Sequence, residues 1–352
     1  MPLAPLTTLE LGGNARCFVR AESDATLIDA LRWASARGMQ AAILGGGSNV
    51  VVSDAGFDGL VIATAQRGVE VVLRGATAEI TAAAGEPWDE LVALTVERDL
   101  AGLECLSGIP GLVGATPIQN VGAYGQEVAM AIRAVRVLDR ATLRVHELEP
   151  GECGFGYRSS AFKRNPDRCV VLSVRFALRL GGEPLVTYAE LARALGAANA
   201  APSLAAVRDA VLELRRGKSM LLEPGDENRR SAGSFFLNPV VDAATAEHVV
   251  QHALDVGWVA RAEDVPRFPA DGGQVKLAAA WLLERAGARK GERRGAFGIS
   301  SRHALALVHH GGGHSAELVA FARELRDRVR AEIGVELAAE PVFLGFGADY
   351  RL

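Results

Sequence analysis

The sequence predicts an α+β fold built from several small sheets. Some stretches repeat apolar residues at helical spacing and others alternate them as strands do. The two kinds are interleaved along the chain, and glycine and proline break them into short elements. At roughly 150 residues per domain, 352 residues make two or three domains. A hydrophobic content of 49% supports a core and excludes low-complexity disorder. Lys plus Arg number 38 against 42 Asp plus Glu, which argues against a protein that coats nucleic acid.

Residues 25–38 read as a helix. Asp24 is its expected cap, Leu27, Ile28, Leu31 and Ala34 form its apolar stripe, and Gly38 ends it. A strand at 40–44 leads into Gly45-Gly46-Gly47-Ser48-Asn49, and a second strand follows at 50–53. Residues 69–73 and 79–84 form a strand pair, and 88–98 a helix. Beyond a glycine- and proline-rich loop lie strands at 134–138 and 170–178. Ser203 caps a helix that runs to Arg215. The polar stretch 224–230 is a linker and a candidate boundary. Helical patterns at 243–256, 275–286 and 315–333 precede a last strand at 341–346. No internal repeat is present.

Residues 105–126 carry no charge, yet Pro110, Pro117, Gln119, Asn120 and the glycines exclude a membrane helix and predict a buried loop. The first ten residues have no basic stretch ahead of an apolar one, so no signal peptide is expected. Cys17, Cys105, Cys153 and Cys169 form no C-x-x-C pair, which predicts reduced thiols in a cytoplasmic protein.

Five stretches carry candidate chemistry. Consecutive glycines at 45–47 let backbone N–H groups turn toward an anion, and Ser48 and Asn49 add donors; a plain hairpin accounts for them equally well. The spacing is not the Rossmann fingerprint, because Val50 stands where the third glycine belongs. The uncharged run 107–125 must find partners for its peptide groups, and a flat hydrogen-bonding cofactor would supply them; the alternative is a loop packed on its own side chains. In the segment 154–163, Arg158 can grip a carboxylate through both guanidinium nitrogens or simply stack on Tyr157. Ser234, in Ser231-Ala232-Gly233-Ser234-Phe235-Phe236, sits beside an apolar wall as a proton donor or as a turn serine. Lys276 opens the helical pattern at 275 among apolar neighbours, a cation suited to an anionic ligand or one that snorkels. Gly217-Lys218-Ser219 is not a phosphate loop, since Leu212 replaces its first glycine. The run His309-His310-Gly311-Gly312-Gly313-His314 lacks the spacing of a metal site and reads as a surface turn.

In this order the stretches resemble the UDP-N-acetylenolpyruvoylglucosamine reductase (MurB) family. The matching motifs are G-G-G-S-N, I-P-G-x-V-G-A-x-P-I-Q-N-x-G-A-Y-G, G-Y-R-x-S-x-F-K, S-A-G-S-F-F-x-N-P and V-K-L-A-A-x-W-L, spanning residues 45–282. The resemblance implies three small α+β domains. Two, at 1–66 and 67–223 with 335–352 completing the second, form an FAD-binding unit of the vanillyl-alcohol-oxidase type, and 224–334 bind substrate. It implies that Gly45, Gly46, Gly47, Ser48 and Asn49 hold FAD together with Ile109, Pro110, Gly114, Ala115, Gln119, Asn120, Gly122 and Ala123. Arg158, Ser234 and Glu340 match the catalytic residues, and Tyr188, Lys218, Asn238 and Lys276 match positions that hold the UDP-sugar. The family often ends L-E-P-E-V, whereas this chain has Leu337-Ala338-Ala339-Glu340-Pro341-Val342. Read without a gap, Ala338 takes the Glu position; keeping the Glu-Pro pair gives Glu340.

The implied reaction uses NADPH, through FAD, to reduce UDP-N-acetylglucosamine enolpyruvate to UDP-N-acetylmuramate for peptidoglycan. The implied protein is a cytoplasmic monomer that binds small molecules, no nucleic acid, no membrane and no metal. A flavin oxidase on the same fold and a non-catalytic flavin or nucleotide-sugar binder are the alternatives. The S-A-G-S-F-F segment argues against the first, and Arg158, Ser234 and Glu340 together argue against the second.

Overall fold

The computed structural model describes residues 1–196 and 202–347. The fold is α+β. The chain divides into two units, one of Met1, Ala15–Gly47 and Phe57–Leu222, the other of Pro2–Asn14, Ser48–Gly56 and the chain from Glu223 onward.

Among its described residues the first unit holds two larger sheets and the two-stranded pair of Gly122–Ala123 with Gln126–Glu127. Three parallel strands lie in the order Ala15–Ala21, Phe57–Thr64, Ala41–Leu44. Helix Asp24–Ser35 covers them, and its Leu27, Leu31 and Ala34 pack with Ala21, Leu60 and Ile62. Ser23 caps this helix in place of Asp24, because its hydroxyl accepts the Thr26 N–H at 3.1 Å. Asp24 lies in the first turn, where its carboxylate pairs with Arg136 at 2.5 Å. The central strand Phe57–Thr64 carries the continuous run Leu60-Val61-Ile62-Ala63, as a parallel strand covered on both faces does.

The second sheet is antiparallel, in the order Val145–Leu148, Ile132–Asp139, Cys169–Leu180, Thr77–Ala83, Val69–Arg74. Helix Trp88–Glu97 packs over it. Trp88 is fully buried 6.0 Å from the Phe176 ring, and its Nε1 donates to the Leu106 carbonyl at 3.1 Å. Helix Leu204–Gly217 begins where expected, with the Ser203 hydroxyl accepting the Ala206 N–H.

The second unit has its own core around Phe235, Phe236, Phe297 and Phe321. An antiparallel sheet runs Ser231–Ser234, Ala306–His309, Phe297–Ile299, Arg293–Arg294. Helices Ala243–Asp255 and Ser315–Ile333 lie where the sequence predicts them. Asp54 accepts the N–H groups of Ser315 and Ala316 at the start of the second, and Gly334 ends it at φ 77°.

Several expectations need correction. Residues 275–286 are not one helix. Val275–Leu277 is a strand paired on both sides, with Val240–Val241 and Arg267–Pro269, and the helix is only Ala279–Arg285. Its two ladders use the backbone groups that a helix would have used. Residues 45–49 do not close a hairpin. Ala41–Leu44 pairs with Phe57–Thr64, whereas Val50–Val52 runs parallel to Val342–Leu344 in the other unit. In this two-unit division residues 335–347 group with that unit; residues 348–352 lie outside the described residues. The histidine run is only partly a surface turn. His309 ends a buried strand, stacks on Phe297 at 5.2 Å, and spends its ring nitrogens on the Leu9 carbonyl and the Gly313 N–H.

Among the described residues no helix is long and apolar enough to cross a membrane. Trp88→Ala should destabilise the protein by about 3–5 kcal/mol in urea unfolding, and Trp88→Phe, which keeps a ring but loses the Leu106 bond, by much less. A loss under about 1 kcal/mol for the alanine variant would contradict this packing.

Candidate active site

The uncharged loop satisfies much of its backbone from the protein itself. Val113 N–H donates to Glu86 O at 2.9 Å, Gly114 N–H to Ala84 O at 2.9 Å, and Gly111 O accepts from Trp88 N–H at 3.0 Å. A ligand is therefore not needed to pair these groups. The loop is also more ordered than its composition suggests. Thr116–Gln119 makes one α-helical turn, and Gly122–Ala123 pairs with Gln126–Glu127. Tyr124 (φ 49°) and Gly125 (φ 84°) make the two-residue corner, both left-handed as a type I′ turn demands.

Glycine at 46 is a steric requirement. A Cβ there would stand 2.9 Å from the Gly111 Cα, so the two backbones meet directly. Gly45 and Gly46 are exposed, and their amides make no backbone hydrogen bond among the described residues. The buried Asn49 Oδ1 has no partner either, while its Nδ2 donates to Glu340 O at 3.4 Å. Exposed amides on adjacent glycines are the donors that a pyrophosphate accepts. The residues present therefore fit a phosphate-bearing cofactor such as FAD.

Arg158 belongs to the first unit. Gly156 and Ser159 bond each other reciprocally at 3.0 and 3.1 Å, which leaves Tyr157 and Arg158 at the tip of a tight turn. Arg158 takes the left-handed slot, φ 49°, that glycine or asparagine usually fills. Its guanidinium donates to the carbonyls of Gly122 (2.5 Å) and Asn120 (3.5 Å) and lies 5.7 Å from the Tyr157 ring centre. A Cβ at Gly122 would come within 3.1 Å of Nη1, so that glycine makes room for the arginine. Asn120 is almost fully buried, and its side chain is spent inside the protein. Its Nδ2 donates to Glu127 and to Gly156 O, and its Oδ1 accepts from Ala129 N–H.

Tyr188, 43% exposed, stands edge-on to Tyr124 at 5.8 Å. Burial pushes the Tyr124 hydroxyl up to about 12 and raises that of Tyr188, so both are neutral phenols. Lys218 lies over the Tyr124 ring at 5.7 Å and pairs with Glu190 at 2.6 Å. Glu104 is a residue that sequence reasoning missed. Its buried carboxylate accepts N–H bonds from Gly102, Leu185 and the Gln126 side chain, which fixes the start of the stretch that leads to Tyr188.

In the second unit, the segment after Ser234 is clamped by the chain near its other end. Phe236 bridges Ala339, Leu237 N–H donates to Ala338 O, and Glu340 N–H donates to Phe235 O at 2.9 Å. Ser234 and Glu340 thus sit on adjacent segments. The half-buried Ser234 hydroxyl makes no hydrogen bond among the described residues. Asn238 Oδ1 accepts the Ala279 N–H at 2.9 Å, and Lys276 lies 5.8 Å from the Phe268 ring.

Residues 15–149 match the family described as an FAD binding domain, and residues 224–344 match the UDP-N-acetylenolpyruvoylglucosamine reductase C-terminal domain. A relative from Saccharopolyspora erythraea named UDP-N-acetylenolpyruvoylglucosamine reductase is 50% identical over 97% of this chain and 94% of its own length. The chain belongs to the UDP-N-acetylenolpyruvoylglucosamine reductase family. A second relative with that name, from Salinispora arenicola, is also 50% identical, over 97% of this chain and 94% of its own. The crystal structure of the Thermus caldophilus reductase superposes with a TM-score of 0.66 at 26% identity, covering 98% of this chain and 97% of that one.

Cys105 and Cys153 are both fully buried. Burial pushes their thiols up to about 12 and about 11, with Glu104 and Glu152 adding to the effect. In the native protein at pH 8 iodoacetamide should leave both unmodified, as read by peptide mass spectrometry, because the thiolate is the reactive form. Alkylation of either at the rate of a free thiol would show that it is not buried as described.

Proposed function

We propose that this chain reduces UDP-N-acetylglucosamine enolpyruvate to UDP-N-acetylmuramate with NADPH in peptidoglycan precursor synthesis. The observation that carries this is family membership along nearly the whole chain, with an FAD binding domain at 15–149 and the reductase C-terminal domain at 224–344. The net reaction adds a hydride and a proton across the enol ether double bond. FAD, when bound, would supply the hydride relay between NADPH and the double bond. Gly45, Gly46 and Gly47 would hold its phosphates, Ser48 and Asn49 would add donors, and the loop from Ile109 to Ala123 would line the rest.

The protein's own residues handle charge and proton. Arg158 stabilises the enolate charge that develops beside the substrate carboxylate. Two carbonyl bonds orient its guanidinium, so little reorganisation is left for the reaction. Ser234 gives its hydroxyl proton to the carbon next to the carboxylate, and solvent restores it. Glu340, in its acid form, would donate to the enolate oxygen. Tyr188, Lys218, Asn238 and Lys276 hold the UDP-sugar, and the diphosphate competes with Glu190 for Lys218. In our reading the protein works as a cytoplasmic monomer without nucleic acid.

The test is an anaerobic absorbance experiment on the purified protein. Flavin bands should bleach with NADPH and return with the enolpyruvyl substrate. A return only with oxygen would favour an oxidase, and no flavin after incubation with FAD would remove the reading. Ser234→Ala should keep the bleaching step and slow the return by roughly 10²–10⁴-fold. Arg158→Lys, which loses the planar fork, should also act on the return step. Equal losses in both steps would refute both assignments.

A further inference from the structure

A left-handed arginine needs something to hold it. Non-glycine residues in this region are strained, and they persist where the surroundings over-determine them. The Arg158 turn is tied to the uncharged loop from several sides. Asn120 Nδ2 donates to Gly156 O at 2.9 Å, and Ser160 Oγ donates to Ile118 O at 2.7 Å. Lys163 grips the arginine's own peptide. Its ammonium donates to Arg158 O at 3.1 Å and to Gln119 Oε1 at 2.8 Å. It stands on the short helix Ala161–Arg164, which the Ser160 hydroxyl caps by accepting the Lys163 N–H at 3.1 Å. One cation therefore joins the backbone of Arg158, the loop side chain of Gln119 and a capped helical turn. Charge-assisted bonds of this kind are stronger than neutral ones, which suits a brace against backbone strain.

We infer that Lys163 is a positioning residue: it fixes the Arg158 peptide in its left-handed conformation and so aims the guanidinium. The inference rests on the role given to Arg158 above. Without the ammonium, the carbonyl is released, the turn relaxes toward ordinary backbone, and the fork leaves the Gly122 and Asn120 carbonyls.

The test uses the FAD-loaded enzyme in anaerobic stopped flow, with hydrogen exchange alongside. Lys163→Met should reduce its flavin with NADPH at the wild-type rate. Its reoxidation by the enolpyruvyl substrate should be slower by roughly 10²-fold, the scale of a misplaced catalytic group. Lys163→Arg, which keeps a cationic donor, should recover most of that loss. The Ser159 amide, bonded to Gly156 O, should exchange faster in Lys163→Met than in the wild type. Combining Lys163→Met with Arg158→Lys should be no slower than Arg158→Lys alone, because both act through one guanidinium.

Additive losses, equal damage to both half-reactions, or an unchanged Ser159 amide would overturn the inference. If Arg158→Lys slows reoxidation and Lys163→Met does not, the inference fails alone. If Arg158→Lys reoxidises at the wild-type rate, the reading of Arg158 fails and takes this one with it. Should Lys163→Met not retain flavin, Lys163→Gln, which keeps one donor for the carbonyl, is measured by the same readouts and judged the same way.

Discussion

A buried peptide group without a partner costs free energy comparable to a lost hydrogen bond, and the stretch 107–125 brings many such groups against a sheet at once. How that constraint is met organises the first unit. Ala84, Glu86 and Trp88 supply backbone partners on one side, and Asn120 supplies side-chain bonds on the other. Glycine at 46 and 114 then becomes obligatory, since a Cβ there would press on the Gly111 backbone or on Ala84. The Arg158 turn is the far end of the same network.

The second unit solves a different problem with similar means. Phe235 and Phe236 are fully buried, which leaves the backbone after Ser234 to be paired by a distant segment. Residues 338–340 supply that pairing, and Val342–Leu344 continues into the ladder with Val50–Val52. Glu340 is therefore fixed by its backbone on two sides, from Phe235 and from the Asn49 amide.

Much of this was legible in the residues. Periodicity places the helices at Trp88–Glu97, Leu204–Gly217 and Ser315–Ile333, because each has a clear apolar stripe and two have a readable end signal. It failed where strands were short or covered on both faces. Val275–Leu277 has only three residues, and its apolar neighbours suit a helix as well as a ladder. Phe57–Thr64 offers no alternation to read. The candidate residues were legible as motifs, but their supports were not. Glu104, Asn120 and Lys163 act across 22 to 81 residues of chain, and no local pattern reports such a pairing.

The parallel pair of Val50–Val52 and Val342–Leu344 has a consequence for biosynthesis. On the ribosome the first of these strands emerges long before its mate is made. At ordinary elongation rates the delay is on the order of tens of seconds. Three consecutive valines, each buried in the finished fold, stand meanwhile as an open edge, the kind of surface on which chains associate wrongly. The edge therefore stays open through most of translation, and a ribosome that stalls late in the message leaves it unsealed.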